Sequence, residues 1–218
     1  MSIEAPGKHY ELRLKKIFKH LRGQKTSSLI ILKDENIYYL TGYYSRDSKS
    51  ILLFIKKDIY LLVSFIYLEQ AEKSIENKKI NIVCCGKDKY EKLAEILGNY
   101  DIKSVGVEGN NINHSDFLKL EKLLAGQDKK LIEKNGIVER LRLIKDRHEI
   151  YKIKSACRIT DKVFESIVGS GASMVRSLSE IELAFKIEGL LVKNGSDGRS
   201  FDIVAAYDGN SSMPHYSP

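Results

Sequence analysis

Cysteine is scarce in this sequence, and the spacing of the few that occur excludes two common uses of the residue. The 218-residue chain has three cysteines, Cys84, Cys85 and Cys157. One adjacent pair and one distant thiol match neither the disulfide framework of a small secreted protein nor the ligand spacing of a zinc site. We therefore expect reduced thiols and a cytoplasmic protein. Cys84 and Cys85 end an apolar run that begins at Ile80, which favours a buried strand end over a reactive thiol.

Long apolar runs are also missing. No run approaches the roughly 20 residues that a membrane-spanning helix needs. The first residues, Met1 to Lys8, lack the apolar core and cleavage site of a signal peptide. The sequence thus predicts no membrane attachment and no export. The glycines between Gly195 and Gly198 lack the Lys-Ser/Thr ending of a phosphate-binding loop, so we expect a plain loop there.

The sequence has no clear metal-ligand pattern. Its five histidines are His9, His20, His114, His148 and His215, and no two of them lie three or four residues apart, as a helical metal site requires. No set of carboxylates has the pattern of a two-metal hydrolytic centre. We expect the first four histidines to be solvated surface residues.

The formal net charge is +7, and a clustered positive charge would indicate a phosphate-binding surface. The basic residues are instead scattered and interleaved with acidic ones, as in the stretches 11–16 and 145–149, which is typical of solvated helix faces. No aromatic and basic platform or groove-reading motif is present. We therefore predict no nucleic-acid partner.

The first part of the chain alternates between helical and strand patterns in an α/β order. Apolar residues between His9 and Gly23 follow the spacing of an amphipathic helix. Continuous apolar runs predict strands that are covered on both faces, and residues 56–58 predict a hairpin between two of them. The predicted strands are 28–32, 51–55, 59–63, 80–83 and 103–107, and the further predicted helices are 90–97 and 115–124.

The second part is mostly helical. Apolar positions predict a long helix over about 146–168, and Ser177 with Glu180 predicts a capping box before a helix that ends at Lys193. A short strand is then predicted near Phe201, followed by a Gly-Asn-Ser-Ser turn and a Pro-His pair. Such turns hold functional side chains at the rim of a cleft, which makes His215 a candidate site residue.

Two groups of motifs resemble the creatinase, prolidase and aminopeptidase P family, metallopeptidase family M24, from about Lys25 onward. The amino-terminal group comprises residues 36–43, 51–55, 60–63 and 69–71, and the carboxyl-terminal group comprises 138–145, 149–150, Ala156, 179–184, Gly195 and 200–215. The resemblance implies an α/β fold in which a creatinase-like amino-terminal domain, a mixed sheet flanked by helices, precedes an incomplete α+β pita-bread domain. It divides the chain into domains 1–133 and 134–218.

The same resemblance implies an enzyme that hydrolyses the peptide bond before proline, with two divalent metal ions (Mn, Co or Zn). The family's two Asp, one His and two Glu ligands all follow the position that His215 matches, so none maps onto this sequence. We therefore expect an amino-terminal fragment that is inactive alone. His215 would be the one catalytic-cleft residue carried over, and the helical Glu residues would be capping or surface groups.

The resemblance leaves alternatives open. A non-catalytic pita-bread module would bind protein, and a creatinase-like relative would hydrolyse an amidine without metal. The family's first domain commonly forms homodimers, and by resemblance Tyr43 and Tyr44 would contact substrate at a cleft, although core or edge-strand roles suit them equally. Proline-containing peptides are the expected partners of the intact protein.

Overall fold

The computed structural model describes residues 7–23, 26–44 and 48–218. The chain divides into two compact units, Met1–Lys145 and Asp146–Pro218. The first contains a sheet with helices on both faces, and the second is built mainly from helices. Residues 134–145 pack with the first unit, whereas the boundary between 133 and 134 that the resemblance suggests stays a prediction.

Six strands of the first unit form one mixed sheet in the order β4-β3-β2-β1-β5-β6. β2 is antiparallel to both β1 and β3, while β4, β5 and β6 run parallel to the neighbours they join. The strands are β1 (Ser28–Ile31), β2 (Ile51–Ile55), β3 (Asp58–Ser64), β4 (Ile80–Cys85), β5 (Ser104–Val107) and β6 (Lys130–Glu133). The predicted mixed sheet and its hairpin are confirmed. Ile55 pairs with Asp58 across the turn, and Lys56 adopts a left-handed φ of 51°.

Helices cover both faces of this sheet. They are α1 (Lys8–Arg22), α2 (Asp34–Thr41), α3 (Leu68–Ser74), α4 (Lys89–Gly98), α5 (His114–Ala125) and α6 (Ile137–Leu143). Successive strand residues point to opposite faces, so Leu29 and Ile31 pack with Ile17 of α1 on one face. Ile30 packs with Leu93 of α4 on the other. Because residues 29–31 of β1 are all apolar and successive side chains alternate between the two faces, the sheet has a buried apolar layer on each face.

The second unit contains α7 (Arg147–Gly169), α8 (Ala172–Arg176) and α9 (Glu180–Lys193), then a short 3₁₀ helix over Asp208–Ser212. The predicted long helix and the end at Lys193 are confirmed. The predicted cap is wrong by two residues, because Ser177 ends α8 and its hydroxyl donates to the Met174 carbonyl oxygen. Ser179 caps α9 instead, in a reciprocal capping box with Glu182.

The strand predicted near Phe201 is absent from the second unit, since residues 201–207 have no strand hydrogen bonds. A strand exists only when a neighbour supplies the other half of the ladder, and no described segment pairs with these residues. The apolar character of Ile203 and Val204 predicted a strand, but local propensity cannot supply a partner. The pita-bread arrangement of this unit stays a prediction.

Candidate functional site

The parallel strands β1 and β5 place two chain segments at one edge of the first unit's sheet. Their carboxyl ends meet there, which is where ligands usually bind in open α/β sheets. The Glu108 side chain follows β5 and is buried, with 3% of its surface exposed. Its Oε2 accepts hydrogen bonds from the backbone N–H groups of Leu32 (2.8 Å) and Lys33 (3.0 Å). Glu108 therefore fixes the path of the chain between β1 and α2.

A buried amide extends this arrangement to α6. The Asn36 side chain is fully buried, and its Nδ2 donates to Glu108 Oε1 at 2.7 Å and to Glu139 Oε1 at 2.8 Å. Arg142 Nη1 donates to Asn36 Oδ1 at 2.8 Å. Burial raises the pKa of the Glu108 carboxyl, an effect that the hydrogen bonds from Leu32 and Lys33 only partly oppose. The network joins β5, α2 and α6 through groups that each need the others as partners.

A cleft of about 440 Å³ opens at this carboxyl edge. Its lining combines three lysines with carboxylates and two tyrosines. The charged and aromatic lining residues are Lys33, Asp34, Glu35, Tyr44, Lys49, Lys89, Tyr90 and Asp116. Asp88 caps α4 and Asn113 caps α5 through their side-chain oxygens, so the amino ends of two helices border the cleft. We call this region the carboxyl-edge cleft.

Two neighbouring residues of α4 give the carboxyl-edge cleft its electrostatic character. Burial lowers the pKa of the Lys89 ammonium, whose Nζ donates to the Lys49 carbonyl oxygen at 2.9 Å and lies 4.9 Å from the Tyr90 ring centre. The Tyr90 hydroxyl donates to Asp116 Oδ2 at 3.0 Å. Burial, and secondarily the Asp116 charge, raises the pKa of Tyr90. The cleft thus presents a partly desolvated amine beside a fixed phenol.

The two tyrosines singled out from the sequence lie in different environments. Tyr43 is 1% exposed and belongs to the core, and its hydroxyl has no hydrogen-bond partner in the part of the chain that the structure describes. Tyr44 is 46% exposed, lines the carboxyl-edge cleft and meets Tyr38 edge to face at 5.8 Å. Gly42 precedes them with φ of 80°, and a Cβ there would lie 2.8 Å from the Tyr10 ring. A substrate-binding role for either tyrosine stays a prediction.

His215 lies in the second unit on an exposed turn, where Tyr216 N–H donates to the Met213 carbonyl oxygen at 3.2 Å. One carboxylate anchors the segment around it. Glu180, at the start of α9, accepts hydrogen bonds from the Tyr207 backbone N–H at 2.6 Å, from the Asn210 amide and from the Tyr216 hydroxyl. The Tyr216 hydrogen bond, and then that from Tyr207, lowers the pKa of Glu180. The imidazole therefore projects from a segment that is tied to a helix.

Within residues 7–23, 26–44 and 48–218, no group of three or more His, Cys, Asp or Glu side chains could hold a metal ion. The residues that the structure describes therefore do not fit a dinuclear metal centre. In the same part of the chain, no helix combines the length and apolar character needed to cross a membrane.

Two family models match the chain in succession. The Creatinase/Prolidase N-terminal domain model matches residues 13–144, more than half of the chain, and the Metallopeptidase family M24 model matches 151–218. The chain belongs to the creatinase/prolidase family. The resemblance drawn from its motifs is confirmed.

Individual proteins agree with the family assignment. The chain is 28% identical to the uncharacterized peptidase YqhT of Bacillus subtilis over 94% of its own length and 55% of that protein. It is 25% identical to the Xaa-Pro dipeptidase of Pyrococcus horikoshii, with coverage of 93% and 54%. The prolidase structure from Pyrococcus furiosus superimposes with a TM-score of 0.74 at 25% identity, covering 93% of this chain and 59% of that one. The chain spans about half the length of the curated relatives it matches.

Sequence reasoning missed most of the carboxyl-edge cleft of this creatinase/prolidase chain. Tyr44 was found only through the family motif, Tyr90 was assigned to an ordinary helix over 90–97, and Lys89, just before that helix, was given no role. A usable signal was present, because Asp88 and Asn113 are capping residues that follow predicted strands, and such strand-to-helix turns border ligand sites. Glu180 was assigned as a capping or surface group, and its hydrogen bonds to residues near position 210 depend on tertiary structure.

Proposed function

We propose that this chain is the amino-terminal part of a metallopeptidase that hydrolyses the peptide bond before proline. The observation that carries the proposal is the succession of the two family models over nearly the whole chain. Relatives named Xaa-Pro dipeptidase support the choice of substrate class. Proline-containing peptides would be the substrates of the whole protein.

The family's metal dependence belongs to the whole protein in this proposal. Two divalent ions, Mn, Co or Zn, would supply a hydroxide nucleophile and polarise the scissile carbonyl. Since no described cluster of this chain fits such a centre, we expect the chain by itself to be inactive.

His215 is the residue of this chain that we assign to the reaction. An exposed imidazole on an anchored turn is free to hydrogen-bond a substrate carbonyl or the oxyanion that develops from it. The hydrogen bonds of Glu180 to Tyr207, Asn210 and Tyr216 supply the anchoring. Loss of such a hydrogen bond should lower kcat by a factor on the order of 100.

We further propose a cytoplasmic homodimer in which Tyr43 supports, and Tyr44 contacts, a substrate-binding cleft. The exposed ring of Tyr44 can meet a ligand directly, whereas the buried Tyr43 acts through packing. The three reduced cysteines are consistent with that compartment.

A peptidase assay tests the proposal in two steps. The purified chain, supplied with manganese or cobalt, should release no amino acid from an Xaa-Pro peptide, and metal-dependent release would contradict its inactivity. A longer protein that contains this chain and the family's metal ligands should release the amino acid from the same peptide. A longer protein in which those ligands are replaced would instead be a binding module. In that active protein, H215A should lower kcat, with S217A as the neighbouring control.

A further inference from the structure

The first helix carries a row of basic side chains. Lys15, Lys19 and Arg22 lie on one stripe of α1, at spacings of four and three residues that place them on the same face. All three are exposed. The stripe borders Leu14 and Phe18, which line the same depression, whereas Ile17 and Leu21 are buried in the core. This side of α1 is thus basic along about two helical turns.

A second basic row lies opposite the helix. Lys56 and Lys57 form the hairpin turn between β2 and β3, and Lys79 directly precedes β4. These three side chains are also exposed. Because Ile55 pairs with Ser28, the first residue of β1, the turn lies at the sheet edge opposite the carboxyl-edge cleft. The two sites on the first unit are therefore separate.

Between the two rows is a groove of about 380 Å³ with an apolar floor. Leu14 and Ile59 are buried in it, and Phe18 is partly buried with its ring edge-on to Phe54 at 5.4 Å. We call this region the basic groove.

The charge of the basic groove is unbalanced. Glu11 is the one carboxylate among its described lining residues, against six lysine and arginine side chains. Within the residues that the structure describes, none of these six forms an ion pair. Like charges held around a low-dielectric floor repel one another and raise the local concentration of an anionic partner. Sequence patterns do not show this arrangement, because the six cations come from three separate stretches of the chain, namely α1, the β2–β3 turn and the residue before β4.

We propose that the basic groove binds a short acidic peptide segment of a protein partner, with one apolar side chain on the floor and carboxylates facing both basic rows. This proposal is independent of the peptidase function. A buried aliphatic floor between charged walls matches an amphipathic peptide. Single-stranded nucleic acid binds best where exposed aromatic rings stack on bases. Phe18, the one aromatic residue of the described lining, is instead partly buried against the core, with its ring edge-on to Phe54.

Fluorescence anisotropy with the chain and a fluorescein-labelled polyglutamate peptide that carries one central leucine tests this proposal. We expect binding that weakens as salt is added, because screening reduces attraction between exposed charges. Replacing the leucine of the probe by serine should weaken binding severalfold, since the apolar contact is lost. Equal binding of the two probes would overturn the role of the floor.

Charge reversal locates the site. K19E with K79E changes one lysine in each wall and should weaken binding about tenfold, because two attractive contacts become repulsive. K152E with K154E, on exposed positions of α7, makes the same change in net charge and should have little effect. Circular dichroism verifies folding, and the milder K19Q with K79Q should act in the same direction if the reversed pair does not fold.

Three outcomes would overturn the proposal. Absence of peptide binding at low salt would exclude the groove as a peptide site. An equal loss in the groove and α7 variants would reduce the effect to net charge. Tighter binding of an oligouridylate of equal charge, lost in the groove variant, would assign the groove to nucleic acid instead.

Discussion

The two units of this chain bury their apolar residues to very different degrees. In the first unit, β1 and β2 are buried at every position, between helices on both sides. Among the described side chains of the second unit, the buried ones are Val163, Leu183 and Ala205. Large apolar side chains such as Phe164 and Phe185 are about two-thirds exposed there.

This difference follows from architecture rather than composition. A sheet offers two broad apolar faces, and a helix laid on each face buries its own stripe at the same time. A helix without such a partner leaves its stripe in solvent, whatever its sequence. Polar groups therefore carry more of the order in the second unit, through the capping boxes at Asp146 and Ser179 and the hydrogen bonds of Glu180.

The largest effect should come from removing a core side chain of the sheet. F54A deletes a fully buried ring that packs against Phe18 and should lower the free energy of unfolding by about 3–5 kcal/mol, since the lost transfer energy is compounded by a cavity. F185A deletes a ring that is 67% exposed and should change it by less than about 0.5 kcal/mol. Urea unfolding followed by circular dichroism measures both.

Equal losses in these two variants would show that the second unit buries Phe185 in solution. The second unit would then bury its large apolar side chains much as the first unit does. The two free energies are comparable if the slope of the unfolding free energy against urea concentration is the same in both variants.

A somewhat smaller effect should come from the buried amide of the first unit. N36A removes one hydrogen bond each from the Glu108 carboxylate, the Glu139 carboxylate and the Arg142 guanidinium, while Glu108 keeps those from the Leu32 and Lys33 backbone. We expect a loss of about 2–3 kcal/mol, because buried polar groups that lose a hydrogen bond keep their desolvation cost. N81A is the control, since the exposed Asn81 donates a single hydrogen bond of 3.2 Å to the Ile59 carbonyl oxygen. A similar loss in both variants would contradict the network's importance.

The sequence predicted the elements of the first unit well, because their patterns are local. Ile51–Ile55 was predicted to the residue, and the strand at 59–63 and the helix at 115–124 differ from the structure by one residue at each end. Sheet order depends on contacts between distant residues, which single-sequence patterns do not contain. The short helices α2 and α3 have too few turns for a period to be recognised. The strand near Phe201 was predicted wrongly for the related reason that pairing is not local.

The sites were harder to predict than the fold. Tyr44 was found through a family resemblance and His215 through its turn pattern together with that resemblance, whereas the environment of Lys89 and the basic groove arise only when separate elements come together. The cations of the basic groove come from α1, the β2–β3 turn and the residue before β4, so no single stretch of sequence shows that they outnumber the one lining carboxylate six to one. The order of charged residues along the chain does not give their arrangement on the folded surface, because folding brings together residues that are distant in sequence.

The cap of α9 should have a smaller effect than either buried group. S179A removes the side-chain oxygen that accepts from the Glu182 backbone N–H at 3.4 Å and should lower helix stability by about 1 kcal/mol. S177A should change it by a few tenths, because Ser177 belongs to the end of α8. Helix content on heating, measured by circular dichroism, distinguishes them. A larger loss of helix stability for S177A than for S179A would show that Ser177 caps α9, as the sequence predicted.

The smallest effect is a pH dependence with opposite signs in the two units. The pKa of Glu180 is lowered in the folded chain, so its contribution is present above the ordinary glutamate pKa and is lost as the pH falls through the lowered value. The pKa of Glu108 is raised, so its contribution to stability is present below the ordinary value and is lost as the pH rises through the raised one.

The Tyr207 amide resonance, followed by NMR on acidification, should therefore shift at a pH below the ordinary titration range of glutamate. In E180Q that shift should vanish, because the ionisable partner of the amide is gone, while the response of the Leu32 amide beside Glu108 should remain. Persistence of the Tyr207 shift in E180Q would mean that another group controls the segment that carries His215.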